Sequence, residues 1–145
     1  MQTESFLQVF ANLARKSKQA LGQQLQRYGV HSGQQYLLEL LWERPDGLAV
    51  GEIAERLDVE TPSITRTVQR MTRQGFVEKH PHPVDARLVI VKLTEKGQAL
   101  EHVIPQAISH FEEQMLAGLS EVERAFLMRL IQHMDQNVED IPPEP

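Results

Sequence analysis

The sequence of 145 residues contains no cysteine. This absence excludes disulfide bonds, thiolate zinc sites, iron–sulfur clusters and cysteine nucleophiles or redox sensors. The sequence also lacks the run of about 18 apolar residues that a membrane-spanning helix requires, since even the apolar segment 36–42 is interrupted by Glu39. An acidic residue stands near the N-terminus where a signal peptide has basic ones, so we expect a cytoplasmic protein that makes no contact with a membrane.

Motifs of the common enzyme classes are missing as well. The sequence contains no Gly-x-Ser-x-Gly, P-loop, Gly-x-Gly-x-x-Gly or His-Glu-x-x-His pattern, each of which marks a known catalytic or nucleotide-binding site. Carboxylate pairs occur at 112–113 and at 121 and 123, but they lie on amphipathic segments and are typical of solvated helix faces. We therefore expect neither catalytic residues nor a cofactor, and no enzymatic activity.

Charge is distributed unevenly along the chain. The formal net charge is −5, from 15 basic and 20 acidic residues. Residues 61–96 contain seven basic and three acidic residues, whereas the remainder contains eight basic and 17 acidic residues. A basic segment within an acidic protein indicates a localised surface for a polyanion such as nucleic acid. A merely solvated basic surface is the alternative, and charge alone does not separate the two.

Periodic apolar residues predict four helices in the first half of the chain. The first covers residues 4–28, and the second, which is apolar nearly all round, covers 33–43. A short third helix follows Ala49, whose side chain cannot cap it. Thr61 as the capping residue and Pro62 at the first helical position predict the start of a fourth helix.

The pattern changes to strands after the fourth helix. Residues 76–80 and 88–93 are rich in β-branched and aromatic side chains, and the polar loop between them predicts a hairpin. Thr94 begins a fifth helix with a kink at Pro105, and a capping box at 120–123 begins a sixth. The predicted order is therefore α-α-α-α-β-β-α-α, a mainly α (α+β) fold.

This order predicts a winged helix-turn-helix within a single domain of residues 1–145. The third and fourth helices and the hairpin form the winged lobe, which we place at 33–93. The helices in 1–30 and 94–140 have wide apolar faces that need a cover, and we expect them to form a two-fold dimer, the commonest oligomer. The tail 141–145 is expected to be disordered.

The fourth helix and the hairpin tip carry the residue types that DNA readers use. Short hydroxyls near a helix N-terminus suit phosphates, and Arg or Gln at helical spacing suits base edges in the major groove. At the hairpin tip, Asp85 is placed to hold the Arg87 guanidinium as it enters a minor groove. The alternative for the fourth helix is a polar surface that binds no DNA. The alternative for Asp85 and Arg87 is a surface ion pair worth under ~1 kcal/mol. The residues expected to contact DNA on the fourth helix are Thr61, Pro62, Ser63, Thr65, Arg66, Gln69, Arg70 and Arg73.

One segment resembles the recognition helix and wing of the MarR-type transcriptional regulators, TPSITRTVQRMTRQGFVEKHPHPVDARLVIVKLTEKGQAL. It has their Ser-containing helix with a Thr-Arg pair, a Gly-x-Val-Glu strand start, an Asp-x-Arg wing and a Leu-Thr-x-x-Gly helix start. The resemblance implies that Ser63, Thr65 and Arg66 contact DNA and that Asp85 and Arg87 are the acid and the minor-groove arginine of the wing. Many members carry two arginines after the Asp, whereas this chain has alanine followed by arginine, so its wing is less basic.

The resemblance also implies an assembly and a mechanism. It implies an obligate homodimer formed by the first, fifth and sixth helices, which binds a pseudo-palindromic operator in double-stranded DNA. The two recognition helices of such a dimer lie about one helical turn, ~34 Å, apart. We expect a sequence-specific repressor that a small-molecule effector releases from DNA. The alternatives are a winged-helix protein-interaction module that does not bind DNA, and a zinc-responsive regulator.

Effector and metal sites are harder to place. The family often binds amphipathic aromatic acids between the dimerisation helices and the winged lobe, and such a carboxylate needs a cation beside an apolar wall. Arg15, Lys18, His31 and Tyr36 are the candidate residues, with core packing and solvent exposure as the alternative roles. The chain has six histidines, but their spacing does not suit the three or four ligands that zinc needs, and we expect no metal site.

Overall fold

The structure of the protein, a computed structural model, describes residues 3–145. They divide into two compact units, of which the first ends at Ser109 and the second spans His110–Pro145. The helices are α1 Phe6–Gln26, α2 Gln34–Trp42, α3 Val50–Arg56, α4 Thr61–Gln74, α5 Glu95–Ala99, α6 Ile104–Met115 and α7 Glu121–Glu139, and the strands are β1 Leu48–Ala49, β2 Val77–Pro81 and β3 Val89–Leu93. The predicted mainly helical fold with a winged helix-turn-helix is confirmed. Within the described residues, no helix is long and apolar enough to cross a membrane.

The sheet has three antiparallel strands in the order β1-β3-β2. The β2–β3 hairpin forms as predicted, with Val77 opposite Leu93. The sequence analysis missed β1, in which Leu48 pairs with Val91. A strand of two residues is too short to show the alternation that identifies strands in a sequence.

The core of the first unit is built around α2. The sequence of this helix is apolar nearly all round, and Leu37, Leu38 and Leu41 are buried. Leu25 of α1 and Ile104 of α6 belong to the same core, so it extends beyond the lobe predicted at 33–93. The buried apolar residues of this core are Leu25, Val30, Leu37, Leu38, Leu41, Leu48, Ile53, Ala54, Ile64, Val68, Met71, Phe76, Val77, Val91 and Ile104.

Helix α4 begins one residue earlier than predicted. Glu60, with extended backbone (φ −72°, ψ 144°), is the N-cap, and Thr61 is the first helical residue. Pro62 still lies in the first turn, where the missing N–H of proline costs nothing because these N–H groups have no partner within the helix. The helix ends at Gly75, which adopts the left-handed conformation (φ 83°) that ends many helices.

The predicted fifth helix is divided into two. Thr94 caps α5 as predicted, and its Oγ1 accepts a hydrogen bond from the Gly97 N–H at 3.1 Å. The chain then forms a 3₁₀ turn at Leu100–His102, and α6 starts afresh at Ile104. The predicted kink is therefore a complete break, because Pro105 has no N–H to continue the α-helical ladder.

The second unit is organised by the turn that precedes α7. The predicted capping box is confirmed: Ser120 Oγ accepts from the Glu123 N–H, and Glu123 Oε1 accepts from the Ser120 N–H, both at 3.2 Å. Arg124 donates to both carboxylate oxygens of Glu113 at 3.0 Å and to the Leu116 carbonyl at 3.1 Å. The arginine thus ties the start of α7 to the end of α6. Residues 141–145 form neither helix nor strand.

Candidate nucleic-acid interface

Helix α4 has one apolar and one polar face. Ile64, Val68 and Met71 are buried in the core, which fixes the rotation of the helix about its axis. The eight residues of α4 that were predicted to contact DNA all keep some exposure to solvent. Ser63 is half-buried, and the exposed residues are Thr61, Pro62, Thr65, Arg66, Gln69, Arg70 and Arg73.

Local hydrogen bonds order the start of this polar face. Arg66 Nη2 donates to Ser63 Oγ at 3.3 Å, and Thr65 Oγ1 donates to the Thr61 carbonyl at 3.1 Å. A guanidinium has five N–H groups, so the bond to Ser63 leaves donors on Arg66 for a base edge. Ser63 and Arg66, two of the residues that the resemblance implies contact DNA, are therefore hydrogen-bonded to each other.

The C-terminal end of α4 is held by lysine and threonine side chains. Lys96 Nζ donates to the Gln74 carbonyl at 2.8 Å and lies 5.0 Å from the centre of the Phe76 ring. Thr94 Oγ1 donates to the Gly75 carbonyl at 2.5 Å. A cation at a helix C-terminus is favourable because it faces the negative end of the helix dipole. These contacts fix α4 against the segment that leads into α5.

A pair of glutamine side chains holds the same end of α4 from the other side. Gln34 Nε2 donates to Gln74 Oε1 at 2.9 Å, and Gln74 Nε2 donates to the Gly29 carbonyl at 2.7 Å. Gln34 Oε1 accepts from the His31 N–H at 3.0 Å. Sequence reasoning missed this network. Its one signal was the polar start of an otherwise apolar helix, where Gln34 and Gln35 are both buried.

At the tip of the wing, Asp85 and Arg87 form the predicted pair. Arg87 Nε and Nη2 each donate to a different carboxylate oxygen of Asp85 at 3.0 Å, and the Arg87 N–H donates to Asp85 Oδ1 at 3.1 Å. These bonds lower the pKa of the Asp85 carboxyl and raise the pKa of Arg87. The Arg87 side chain is 89% exposed. The wing thus presents a guanidinium of fixed orientation to solvent.

The backbone of the wing tip is held by a side chain that sequence reasoning did not select. His82 Nδ1 accepts from the Val84 N–H at 3.1 Å and from the Asp85 N–H at 3.0 Å. The sequence signal was weak, because a histidine between two prolines is more often a plain loop residue.

The four candidate effector residues do not form one site. Lys18 lines a shallow hollow on α1, and Tyr36 lines a separate cleft of about 700 Å³ beside α4. Arg15 and His31 are exposed and line neither of these two hollows. The residues of the larger cleft are Ser32, Gly33, Gln34, Tyr36, Leu37, Arg56, Leu57, Val59, Ser63, Ile64, Arg66, Thr67 and Arg70.

Metal ligands do not gather in the part of the chain that the structure describes. No three His, Asp or Glu side chains of residues 3–145 come together as a candidate cation site. His102 and His110, which both fall in the predicted fifth helix, are separated along the chain by the break before α6.

Helices α3 and α4 followed by the β2–β3 wing define the winged helix-turn-helix class of DNA-binding proteins. Residues 28–88 match the family model described as MarR family. Over 92 residues the chain is 34% identical to the HTH-type transcriptional regulator Mb0904 of Mycobacterium bovis, an alignment that covers 63% of this chain and 64% of that protein.

Two solved structures have the same fold over most of the chain. A MarR transcriptional regulator from Methanosarcina mazei Go1 has a TM-score of 0.78 at 24% identity, covering 93% of this chain and 96% of that one. The S. aureus MepR–DNA complex has a TM-score of 0.83 at 20% identity, covering 93% and 99%. The match to the MarR family model and these relatives confirm the resemblance to MarR-type transcriptional regulators that was seen in the sequence.

Proposed function

We propose that the protein binds double-stranded DNA sequence-specifically as a homodimer and represses transcription by occupying a pseudo-palindromic operator. The observation that carries this proposal is the polar face of α4, where Arg66, Gln69 and Arg70 are exposed on the same unit as the Arg87-bearing wing. An α-helix with such side chains fits the major groove, and a wing arginine fits the adjacent minor groove. MepR, which has the same fold, was solved with DNA.

The charge distribution supports DNA binding that depends on few residues. Residues 61–96, which contain α4 and the wing, are basic, although the rest of the chain carries eight basic and 17 acidic residues. The acidic remainder disfavours non-specific attraction to phosphates. Binding then rests on the exposed arginines of α4 and on Arg87, and it weakens as salt rises because counterions are released from DNA.

Exposed apolar faces in each unit support the homodimer. In the first unit, α1 exposes Phe6, Leu7, Phe10 and Leu13, and the rings of Phe6 and Phe10 stack at 5.9 Å. In the second unit, α7 exposes a further apolar set, which comprises Val122, Phe126, Leu127, Met128, Leu130, Ile131 and Val138. Large apolar surfaces mark interfaces, and a second copy of the same chain, related by a two-fold axis, is the commonest partner for such a surface.

We also propose that a small amphipathic anion releases the protein from DNA by binding in the cleft beside α4. Tyr36 and Val59, 56% and 45% exposed, offer an apolar wall, and Arg56 offers a cation whose contact with Glu52 is long, at 3.8 Å. Arg66 lines the same cleft. Because Arg66 is also a proposed base reader, an anion in the cleft competes with DNA for one side chain. Arg56 thereby replaces Arg15 and Lys18 as the proposed cation.

Selection of bound fragments from genomic DNA at two salt concentrations tests the DNA proposal. We expect retention of a small set of fragments that share an inverted repeat, with weaker retention at the higher salt concentration. Lys16→Ala, on the exposed surface of α1, is the matched control and should select the same set. Retention of no DNA at either salt concentration would favour the protein-interaction module.

Benzoate and its neutral analogue benzamide test the effector proposal. Benzoate should weaken binding to a selected fragment, whereas benzamide, which has the same ring and no charge, should not. Arg56→Ala should keep DNA binding and lose the response to benzoate. A response to benzoate that persists in Arg56→Ala would contradict the assignment of the cleft.

A further inference from the structure

The wing-tip loop, residues 82–88, is held by an imidazole in addition to a turn at 85–88, in which the Leu88 N–H donates to the Asp85 carbonyl. Both Val84 and Asp85 direct their backbone N–H groups at Nδ1 of His82, at 3.1 and 3.0 Å. A backbone N–H can only donate, so Nδ1 must supply the lone pair and must be unprotonated. The geometry therefore specifies the form of His82 in this structure, the neutral ring with its proton on Nε2.

The rest of the loop has few other backbone hydrogen bonds to hold it. Proline at 81 and at 83 has no N–H to donate. The His82 N–H donates to the Leu88 carbonyl at 3.1 Å, and the Leu88 N–H donates to the Asp85 carbonyl at 3.0 Å. His82 thus bonds both to the far side of the loop through its backbone and to the tip through its ring.

A continuous chain of contacts runs from this imidazole to the arginine proposed to enter the minor groove. His82 fixes the Asp85 backbone, and the Asp85 carboxylate accepts three hydrogen bonds from Arg87. Arg87 is 89% exposed and has no packing of its own to fix its direction. Its orientation therefore depends on where the Asp85 backbone is held.

We propose that His82 is the positioning residue of the wing. Its protonation releases the Asp85–Arg87 pair, and the contribution of Arg87 to DNA affinity therefore falls as pH falls. This inference rests on the proposed DNA-binding function. The imidazolium form carries a proton on both nitrogens, so Nδ1 stops accepting and two backbone N–H groups lose their partner. Imidazole is the side chain that changes charge between pH 5 and 8, the range in which the effect is expected.

The neighbouring charged residues determine which control distinguishes protonation of His82 from protonation of another group. Asp85 and Arg87 share the loop with His82, whereas the titratable or charged residues of the flanking strands are Glu78, Lys79 and His80 on β2 and Lys92 on β3. Because Arg87 lowers the pKa of Asp85 below its ordinary value, this carboxylate stays ionised until the pH falls below the usual carboxyl range, so protonation of Asp85 itself does not cause the effect. His80 is a second imidazole of the wing, and its Nε2 lies 2.9 Å from Glu78 Oε1. A His80→Gln variant is therefore the control.

Protonation of His82 also adds a positive charge at the wing tip, which acts in the opposite direction. A cation near DNA phosphates strengthens binding, whereas loss of positioning weakens it. The two contributions are distinguished by an asparagine at this position, because Asn can accept from a backbone N–H two residues ahead and does not titrate. His82→Asn keeps the acceptor, and His82→Leu removes it.

Affinity for a genomic fragment selected by the protein is measured from pH 8 to pH 5.5 at fixed salt. At pH 8, His82→Asn should bind as the wild type does, and His82→Leu should bind about fivefold more weakly, the effect of one net hydrogen bond. At pH 5.5 the wild type should fall toward His82→Leu, while His82→Asn should not. In an Arg87→Ala background, the His82→Asn substitution should make no difference to affinity at any pH.

Two results would overturn the proposal. One is a wild type and a His82→Asn variant with the same pH profile; the other is a wild type that gains affinity relative to His82→Asn as pH falls. His80→Gln should keep the profile of the wild type, and its failure to do so would assign the effect to His80 instead.

A measurement without DNA separates this inference from the proposed function. In NMR spectra, the amide shifts of Val84 and Asp85 should titrate together with the His82 ring nitrogens, and they should be flat in His82→Asn. If the amide shifts of Val84 and Asp85 stay constant while the His82 ring titrates, the contact does not hold the loop. If the amides titrate as expected but no variant binds DNA at any pH, the DNA-binding function fails and the positioning of the wing tip remains.

Discussion

The side-chain amides of Gln34 and Gln74 are joined by a 2.9 Å hydrogen bond that links the start of α2 to the end of the recognition helix. The second amide hydrogen bond, from Gln74 to the Gly29 carbonyl at 2.7 Å, extends this link to the turn that follows α1. Gln34 is only 3% exposed. A buried amide is stable only while its donors and acceptors are paired. The pair therefore ties the position of α4 to the turn between α1 and α2.

Gln74→Ala should lower the free energy of unfolding by about 1–3 kcal/mol, because it leaves the buried Nε2 group of Gln34 without an acceptor. The measurement is urea unfolding at one fixed protein concentration, since the stability of a dimer depends on concentration. Gln69→Ala, on the exposed face of the same helix, is the control and should change the free energy by less than about 0.5 kcal/mol. Equal effects of the two substitutions would contradict a role for the amide pair.

Two helical glycines should respond to alanine in opposite directions. A Cβ on Gly97 would collide with the Phe76 carbonyl, and the Gly97 carbonyl accepts from the Trp42 indole N–H at 3.1 Å. Gly51 lies on α3, and no heavy atom lies within 4 Å of the position that a Cβ would take there. Gly51→Ala should therefore raise the free energy of unfolding by about 0.5–1 kcal/mol, the difference in helix propensity.

Gly97→Ala should instead lower it by about 1–3 kcal/mol, because α5 must shift away from the sheet. Thermal and urea unfolding of both variants at the same protein concentration check the pair. A stabilising Gly97→Ala substitution would show that α5 does not approach Phe76 closely.

The contacts that could be predicted from the sequence are those made between near neighbours. The capping box of Ser120 and Glu123, the Thr94 cap and the buried stripe of α4 all follow from spacings of three or four residues. The pair of Asp85 and Arg87 is also local, because its two residues are separated by a single alanine. Local chemistry decides each of these without reference to the rest of the fold.

The features that were not predicted depend on residues that are far apart in the sequence, or on a choice between neighbouring residues for the same role. Gln34 and Gln74 are 40 positions apart, and no periodicity connects them. Proline is tolerated throughout the first turn, so Pro62 does not decide whether Glu60 or Thr61 is the N-cap. In the structure the N-cap is Glu60. His82 looks like an ordinary loop residue in the sequence, since its role lies in the backbone N–H groups that the folded loop turns toward its ring.

Arg87→Ala should weaken binding to all DNA sequences and reduce the salt dependence. The slope of log affinity against log salt should fall by about 1.8, because each of the two protomers of the proposed dimer loses one phosphate contact worth about 0.9. Fluorescence anisotropy with a labelled fragment at four or five salt concentrations gives this slope. Lys16→Ala removes one positive charge from α1 and should leave the slope unchanged. A wing that does not contact DNA would give the same slope for all three proteins.

Phe10→Glu on α1 and Phe126→Glu on α7 should each weaken the dimer. Both side chains are about half exposed in the single chain, so the charge is harmless to the core but is buried when the proposed interface forms, at a cost of several kcal/mol. Sedimentation velocity over a range of concentrations measures the dissociation constant. Glu112→Gln, at an exposed polar position of α6, is the control. Dimers of unchanged strength in both phenylalanine variants would place the interface elsewhere.

Arg66→Ala should change which sequences are bound more than how tightly DNA in general is bound. Arg66 lies between the buried Ile64 and Val68 that orient α4, and its remaining N–H groups can bond to guanine O6 and N7 in the major groove. Loss of such a contact costs about 1–3 kcal/mol of discrimination at one base pair, so selection from a randomised library should relax at one position in each half-site. Arg73→Ala, near the C-terminal end of the same face, removes the same charge and should leave that position unchanged. An Arg66→Ala protein that selects the motif of the wild type would show that Arg66 contacts only the phosphate backbone.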